Sequence, residues 1–350
     1  MAKSLKLFSS RLLQWFDKHG RHDLPWQQDI SPYRVWVSEI MLQQTQVSTV
    51  IPYFQAFMSR FPTVEALAEA PEDDVLHHWS GLGYYARARN LHKAAKIVVA
   101  NGGEFPVGVE GLVELPGIGR STAGAIAAIS QQQYAVILDG NVKRVLARHQ
   151  MVEGWAGQAK VADKLWLVAE ANTPTKRTAD YTQAIMDLGA TLCTRSKPLC
   201  NFCPVSEDCQ ALKANRVSEF PGKKPKKVLP VKNTQMLMLQ NPAGELLLKK
   251  RPSQGIWGGL WSLPEIDGRV DSWLLDNFGL EPTTEEPWPV MRHTFSHYHL
   301  DIQPIRVVLS KESPQIMEGS QQLWYNSAHP DAIGLAAPVK KLIDALFKTE

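Results

Sequence analysis

Two glycines one residue apart, Gly117 and Gly119, are the feature that most constrains how this chain folds. Glycines so placed do not continue a helix, but they allow a tight turn whose backbone N–H groups are not covered by side chains. Apolar residues at helical spacing occupy 109–115 and 121–130, so the stretch predicts a helix, a glycine hairpin and a second helix. A hairpin at a helix N-terminus can bind an anion such as a DNA phosphate. A plain corner between two helices is the alternative.

Asp139 stands directly after the apolar run 135–138 and before Gly140 and Asn141. The simplest interpretation is a helix N-cap, in which Asp139 or Asn141 caps a helix over 142–149. A capping carboxylate here would lie close to the glycine hairpin. The capping role and a functional role for Asp139 are therefore compatible.

The length of 350 residues is too great for one comfortable hydrophobic core and predicts two domains. A composition of 44% hydrophobic and 21% charged residues is that of a soluble globular protein. No apolar run approaches the roughly 18 residues of a membrane span, and the N-terminus lacks a signal-peptide core, so we expect a cytoplasmic location. The net charge of only +3 means that any nucleic-acid surface must be a local patch.

A basic, proline-bearing stretch at 221–227 marks the clearest domain boundary. Apolar residues recur at helical spacing before it and alternate after it, at 235–240, 245–250 and 300–309. Two further helices are expected at 273–278 and 339–347. The sequence therefore predicts a multidomain protein with an all-α domain over 1–212, a basic linker over 213–230 and an α+β domain over 231–350.

The four cysteines form one short group, spaced C-x6-C-x2-C-x5-C at Cys193, Cys200, Cys203 and Cys209. In a reducing compartment such a group favours a metal site over disulfides. Zinc ribbons need two Cys-x-x-Cys knuckles, whereas only Cys200 and Cys203 form one, and no histidine falls within the loop. The arrangement suits a [4Fe–4S] cluster with a structural role.

Several motifs together carry a resemblance to a known family. Leu-Pro-Gly-Ile-Gly at 115–119, Leu-Asp-Gly-Asn-Val-Lys-Arg at 138–144 and the cysteine spacing resemble the helix-hairpin-helix DNA glycosylases with an iron–sulfur loop, which include endonuclease III. Ser-Glu-Ile-Met-Leu-Gln-Gln-Thr-Gln-Val at 38–47 resembles a signature of the adenine DNA glycosylases within that family. The stretch 255–264 resembles a Nudix fold, but the clustered glutamates that hold metal for pyrophosphate hydrolysis are absent.

The resemblance covers essentially the whole chain and implies a monofunctional base-excision repair enzyme. Its substrate would be double-stranded DNA with adenine opposite 8-oxoguanine or guanine. The resemblance assigns Glu39 as the acid that protonates adenine N7 and Asp139 as the carboxylate that stabilises the oxocarbenium-like sugar, supported by Asn141. Ser121 stands where bifunctional relatives carry a lysine nucleophile, and its own role is left open.

The family also implies contacts to the substrate. These are Leu24 and Trp26 around the flipped adenine, Gln183 at the adenine edge, Gln44 and Thr45 at the opposite base, Tyr84 as a wedge, Gly117 and Gly119 at a phosphate, and Phe295, Ser296 and His297 at 8-oxoguanine. For several of these the residues alone leave ordinary structural roles open: a solvated helix face for Glu39, solvated helix-end amides at 43–45, a core plug at 21–26, and core tyrosines beside solvated arginines at 84–89.

Other functions remain alternatives at this stage. An endonuclease III-like glycosylase/lyase would need an amine where Ser121 stands. A non-catalytic iron–sulfur DNA-binding protein would not need Glu39 and Asp139, and a nucleotide-pyrophosphate hydrolase would need the missing acidic box. We further expect a monomer associated with the nucleoid, with replication or mismatch-repair proteins as partners.

Overall fold

The computed structural model describes residues 2–225, 228–279, 284–309, 321–328, 330 and 332–348. Parts of two predicted segments lie outside the described residues: Lys226 and Lys227 of the linker, and 280–283, 310–320, 329, 331 and 349–350 of the C-terminal domain. Within the described residues the helices are, in chain order, α1 (Ala2–His19), α2 (Pro32–Leu42), α3 (Val47–Arg60), α4 (Val64–Glu69), α5 (Glu72–His78), α6 (Ala86–Ala100), α7 (Gly108–Val113), α8 (Arg120–Ser130), α9 (Gly140–His149), α10 (Ala159–Asn172), α11 (Thr178–Thr191), α12 (Gln210–Lys213), α13 (Val270–Phe278) and α14 (Ala337–Lys348).

The strands all follow residue 230. They are β1 (Val231–Gln240), β2 (Leu246–Lys250), β3 (Trp261–Ser262), β4 (Glu265–Ile266), β5 (Thr284–Pro287), β6 (Met291–Thr294), β7 (His299–Val308) and β8 (Gln322–Tyr325). Short 3₁₀ turns occupy Pro25–Gln27, Cys200–Phe202, Ser206–Asp208 and Val217–Glu219. The predicted all-α N-terminal part and α+β C-terminal part are thus both observed.

By its internal contacts the chain divides into two compact units. The first comprises Met1–Glu69 and Asn90–Lys226, and the second comprises Ala70–Arg89 and Lys227–Glu350. The sequence-based boundaries at 212 and 230 stay a prediction. They placed Ala70–Arg89 in the helical domain, whereas the contacts of this segment group it with the C-terminal part.

The core of the first unit forms where amphipathic helices bury their apolar stripes. Helix α1 contributes Phe8, Leu12 and Phe16, which pack with Leu146 of α9 and Leu188 of α11. Burying each such side chain contributes on the order of 1.5 to 3 kcal/mol. Packing of this kind fixes α9 and α11 against one another.

Two helix starts that matter for the site are set by local capping. Ser31 accepts a hydrogen bond from the Arg34 N–H at 3.2 Å and Pro32 takes the first helical position, as the sequence predicts for α2. Asp139 caps α9 by accepting from the Val142 N–H at 2.7 Å. The N-cap interpretation of Asp139 is therefore confirmed.

The second unit is built on one mixed sheet. Strands β1 and β7 pair in parallel along their whole length, from Val231 opposite His299 to Gln240 opposite Val308. The order β3-β2-β1-β7-β5 is otherwise antiparallel, with β4 on β1, β6 on β7 and β8 on β2. One face buries Leu237, Leu239 and Val307 against Leu274 and Phe278 of α13. The loop between β6 and β7 projects from a hairpin that belongs to this sheet.

In the described part of the chain, no helix has the length and apolar character that crossing a membrane requires.

Candidate active site

A large cleft opens in the first unit. Nine of the residues assigned from the sequence line it: Leu24, Trp26, Glu39, Gln44, Thr45, Ser121, Asp139, Asn141 and Gln183. They come from the 3₁₀ turn at 25–27, α2, the turn after α2, α8, the start of α9, and α11. The fold therefore brings together residues that are up to about half the chain apart.

Glu39 lies on the face of α2 that lines the cleft, and not on a solvated helix face. Its neighbours Ser38 and Ile40 are buried, and Glu39 itself is only partly exposed, toward the cleft. Burial raises the pKa of the Glu39 carboxyl to about 8, and the negative charge of Asp139 raises it further in the same direction. Glu39 therefore carries a proton at neutral pH.

Asp139 faces the same cleft with a different set of partners. Burial raises the pKa of the Asp139 carboxyl above its ordinary value. The N–H groups of Val142 and Asn141 and the charges of Arg144 and Lys143 act in the opposite direction, since each stabilises the carboxylate.

The two carboxyls are thus unequal in what surrounds them. Burial in the cleft raises the pKa of both carboxyls. Donors and positive charges that stabilise an ionised carboxyl surround Asp139, and none of these acts on Glu39. When the pair holds one proton, it therefore resides on Glu39, the arrangement that assigns acid and carboxylate roles in paired-carboxyl sites.

Ser121 holds the chain that leads into Asp139. It lies in the first turn of α8, and its hydroxyl oxygen accepts a hydrogen bond from the Leu138 N–H at 2.9 Å. This bond fixes the backbone one residue before the carboxylate. The structure thus gives Ser121 a positioning contact that the sequence did not reveal.

Asn141 connects the site to the cysteine loop. Its side-chain oxygen accepts from Arg144 at 2.8 Å, and the same guanidinium donates to the carbonyls of Gly189 and Cys193, both at 2.7 Å. A side chain at Gly189 would bring its Cβ within 2.6 Å of the Asn141 Cβ, so glycine permits this close approach of α11 to α9. Arg144 was not assigned from the sequence, although it ends the Asp-Gly-Asn-Val-Lys-Arg motif.

An ion pair with a buried carboxylate lies beside Gln183 at the cleft. Asp187 of α11 is fully buried and accepts from the Arg21 backbone N–H at 2.8 Å and from its guanidinium at 2.5 Å. Gln183 donates its amide NH₂ to the same carboxylate at 2.9 Å. A carboxylate only accepts, so this bond fixes which way the Gln183 amide points. The sequence signal that was missed is an acid among the buried residues of α11.

The apolar wall of the cleft comes from a turn that is held by polar bonds. Leu24 and Trp26 are buried, and the Trp26 ring packs edge-on against Phe54 with 5.6 Å between centroids. Gln27 accepts from the Leu24 N–H at 3.1 Å, and Arg34 donates to the Pro25 carbonyl at 2.9 Å. The turn is therefore a rigid wall at the cleft.

The turn after α2 presents amides at the rim of the cleft. Gln44 is exposed and has a left-handed backbone with φ of +58°, which costs a non-glycine residue of order 1 to 3 kcal/mol. The Thr45 N–H donates to the Leu42 carbonyl at 3.3 Å, and the Thr45 hydroxyl donates to the Gln43 carbonyl at the same distance. This turn projects the Gln44 side chain outward.

The glycine hairpin lies beside the cleft and does not line it. Gly117 has φ of +81°, and a Cβ there would meet the Asn90 side chain at 2.8 Å, so only glycine fits. Gly119 is the N-cap residue of α8 and makes no side-chain cap bond. The N-terminal donors of α8 consequently remain suited to an anion, as the sequence predicts.

The four cysteines line a separate small cavity. Burial raises the pKa of the Cys203 thiol to about 12, and a hydrogen bond from the Val205 N–H lowers it. Arg148 is buried and donates to the Cys193 sulfur at 3.4 Å and to the carbonyl oxygens of Thr194 and Arg195 at 2.7 and 3.0 Å. The Val205 N–H and the Arg148 bond to the Cys193 sulfur suit thiolates, since both stabilise negative charge on sulfur.

Among the described residues, no three His, Cys, Asp or Glu side chains are placed to hold one metal ion.

The remaining assigned residues lie in the second unit. Ser296 and His297 are exposed at the tip between β6 and β7, where Phe295 donates its N–H to the Tyr298 carbonyl at 2.9 Å. The Phe295 ring packs against Trp257 and His293, with centroids 5.2 and 4.6 Å away. Tyr84 belongs to the same unit and is 55% exposed.

Comparison with known proteins places both parts in recognised families. Residues 37–171 match the HhH-GPD superfamily of base excision DNA repair proteins, and residues 235–345 match the NUDIX domain. The chain is 40% identical to the adenine DNA glycosylase of Buchnera aphidicola subsp. Acyrthosiphon pisum (strain APS), with 98% of each chain covered. It is 33% identical to the adenine DNA glycosylase of Homo sapiens, covering 94% of this chain and 72% of the human one.

Solved structures match the helical part. A thermostable thymine-DNA glycosylase superposes with a TM-score of 0.53 and 26% identity, covering 61% of this chain and 98% of that one. Endonuclease III in a non-covalent DNA complex superposes with the same TM-score and coverage at 18% identity, which bears on the fold alone.

Proposed function

This chain belongs to the adenine DNA glycosylases, enzymes of base-excision DNA repair, and from that premise we propose that it hydrolyses the N-glycosidic bond of adenine paired with 8-oxoguanine or guanine, without a lyase step. The observation that carries the proposal is the pair of unequal carboxyls, Glu39 and Asp139, in one cleft. Both face the space in which a flipped base would lie.

The proposed reaction uses the proton that burial keeps on Glu39. Glu39 transfers it to N7 of adenine while the bond between C1′ and N9 breaks, so the base leaves neutral and the electron pair goes to the ring. Asp139 stabilises the positive charge that develops on the sugar, because its carboxylate is held next to that position by α9. Water then adds to C1′, and its proton returns to Glu39.

Recognition of the adenine edge is assigned to Gln183, on the side of the cleft that α11 forms. Because the Gln183 NH₂ is bound to Asp187, the amide oxygen is oriented away from that carboxylate. An oxygen so placed can accept from the exocyclic amino group of adenine. Leu24 and Trp26 would pack on the base, Gln44 and Thr45 would contact the opposite base, and the hairpin at Gly117 and Gly119 would bind a phosphate.

For the cysteine loop we propose a [4Fe–4S] cluster held by Cys193, Cys200, Cys203 and Cys209. Four sulfurs around one cavity, with N–H groups and Arg148 directed at them, support the assignment. When bound, such a cluster cross-links the loop. The chain's own contribution is to attach that loop to α9 through Arg144 and Arg148.

Metal analysis tests this directly. Protein prepared without air should contain about four iron and four sulfide per chain and be brown, since four thiolates ligate the cluster. Both quantities can be measured colorimetrically beside zinc by mass spectrometry. Stoichiometric zinc without iron would overturn the assignment.

The proposal that no lyase step occurs rests on Ser121, the residue that stands where a lyase would carry its lysine. Ser121 offers no amine, its oxygen is bound to the Leu138 N–H, and no lysine is among the residues that line the cleft in the described chain. On an 8-oxoguanine:adenine duplex the product should be an intact abasic strand that breaks only after hot alkali. Borohydride should trap little covalent complex, and Ser121→Lys should introduce some nicking.

Lys143→Ala is the variant that tests whether another amine acts as the nucleophile. Lys143 is close enough to Asp139 to affect its pKa and is thus the amine to examine first. Nicking and trapping by the unmodified protein, lost in Lys143→Ala, would contradict the monofunctional proposal. The rival endonuclease III-like glycosylase/lyase would then be favoured.

The second unit is proposed to distinguish 8-oxoguanine from guanine through the loop Phe295–His297. The lesion differs from guanine by a donor at N7 and an oxygen at C8, groups that exposed Ser296 and His297 side chains can contact. Deleting 226–350 should narrow the preference for 8-oxoguanine:adenine over guanine:adenine about tenfold or more. The deletion protein, which keeps residues 70–89, should still excise adenine, since Glu39, Asp139 and the cysteines all precede residue 213 and a DNA glycosylase that covers only 61% of this chain is matched over 98% of its own length.

Single-turnover excision and dissociation constants on both duplexes measure this preference. Ser296→Ala should narrow it only modestly, because Gln44 and Thr45 are proposed to contact the same base. Unchanged discrimination by the deletion protein would remove the second unit from lesion recognition. A monomeric state, nucleoid association and contacts with replication or mismatch-repair proteins stay proposals.

A further inference from the structure

We propose that the sheet of the second unit positions Tyr84, so that the proposed wedge and the loop Phe295–His297 belong to one structural body. The proposal deepens the function above, on which the DNA role of Tyr84 rests. It concerns the Tyr84 segment, defined as residues 70–89. The family match at 37–171 would place this segment with the catalytic helices, whereas its contacts group it with the C-terminal residues.

Polar bonds attach the Tyr84 segment to the C-terminal residues. The Lys250 ammonium at the end of β2 bridges the Asp73 carboxylate, at 2.8 and 2.9 Å from its two oxygens. The Tyr85 hydroxyl, which is buried, donates to the Leu335 carbonyl at 3.3 Å, and the Arg89 guanidinium donates to the Gly258 carbonyl. The attachment therefore involves both ends of the segment.

Close packing reinforces these bonds. A Cβ added at Gly334 would lie 2.9 Å from the Cβ of Leu76, so the backbone before Leu335 rests directly on α5. Leu76 and Tyr85 are buried. Removal of the C-terminal residues would therefore expose this apolar surface.

Tyr84 itself needs such support. Its backbone is left-handed with φ of +48°, a conformation that is unfavourable for a bulky residue and persists only when its surroundings hold it. Arg87 donates to the carbonyls of Leu82 and Gly83 at 3.0 and 3.2 Å and lies over the rings of Trp79 and Tyr84. This local frame is attached to β2 through Asp73 and to the segment before α14 through Tyr85.

Lys250→Glu in the full chain tests the proposal, because it places two carboxylates together where the ion pair was. Hydrogen exchange over 79–89 should become faster, while β1 and β7 keep their protection. The dissociation constant for an 8-oxoguanine:adenine duplex should rise about fivefold, with single-turnover excision at saturating protein unchanged. The charge swap Asp73→Lys with Lys250→Glu should restore both exchange and affinity.

The matched control is Arg269→Glu, which changes the net charge equally at an exposed side chain of the same unit and should alter neither readout. Tyr85→Phe, which removes only the bond to Leu335, should raise exchange over 79–89 by a smaller amount. In a Tyr84→Ala background, Lys250→Glu should weaken binding no further, since its effect is exerted through Tyr84.

Two results would overturn the proposal. One is unchanged exchange over 79–89 in both Lys250→Glu and Tyr85→Phe. The other is an equal loss of affinity with and without Tyr84, which would mean that Lys250 contacts DNA itself. If Tyr84→Ala binds DNA normally while exchange over 79–89 still rises in Lys250→Glu, the wedge role fails and the positioning of the segment stands.

Discussion

Glu39→Gln is expected to bind the 8-oxoguanine:adenine duplex as the unaltered protein does and to excise adenine about 10² to 10⁴ times more slowly. The amide keeps the shape of the side chain but cannot transfer the proton that burial holds on the acid. Single-turnover excision and a dissociation constant measure the two effects separately. Glu170→Gln makes the same change at an exposed carboxylate outside the cleft and should excise normally. Excision by Glu39→Gln within a few-fold of the unaltered rate would remove Glu39 from the chemistry.

The same role for Glu39 predicts the pH dependence of excision. Its pKa is raised to about 8, so the acid is protonated below that pH and ionises as the pH rises through it. As far as ionisation of Glu39 controls it, the single-turnover rate should therefore be independent of pH near neutrality. Above about pH 8 the rate should fall about tenfold per pH unit. A rate that instead increases between about pH 7 and about pH 9 would contradict an acid role for Glu39.

Asp139→Asn is the second large effect expected. Asparagine is as good an N-cap as aspartate, and its amide oxygen can still accept from the Val142 N–H, so α9 should begin where it does now. The variant loses only the negative charge. We expect excision to fall about 10² to 10³ times, the cost typical of removing one group that stabilises charge in the transition state, with DNA binding retained.

Asp163→Asn on α10 is the matched control, since it removes an exposed carboxylate of the same unit that does not line the cleft. Thermal unfolding of Asp139→Asn should resemble that of the unaltered protein. If Asp139→Asn excises adenine within a few-fold of the normal rate, the backbone N–H groups and cations around Asp139 have only a structural role.

Several parts of the site could be predicted because their causes are local. Gly117 and Gly119 predict a turn wherever they occur, and Asp139 before Gly-Asn predicts a cap, since both depend on a few neighbouring backbone groups. The cysteine spacing likewise limits how the loop can close. The structure places each of these features where the local pattern predicts it.

Other parts depend on segments that are far apart along the chain. The pattern around Glu39 fitted a solvated helix face, and only the folded unit buries its carboxyl and brings it near Asp139. The Arg21 and Asp187 pair joins positions 166 residues apart, so no local pattern reveals it. The raised pKa of Asp139 is also a consequence of burial that the sequence analysis did not anticipate.

Periodicity, capping and backbone freedom act within a few residues, so the two-part architecture, the helix starts, the hairpin and the cysteine group could be predicted from local sequence. How deeply each carboxyl is buried and which donors surround it depend on every element that packs around the cleft, so these properties are visible only in the folded protein. The tertiary structure also decided that Ala70–Arg89 groups with the C-terminal residues. The helical pattern of that segment is the same whichever partner buries it, and the partner is chosen by contacts such as Asp73 with Lys250, which lie 177 residues apart.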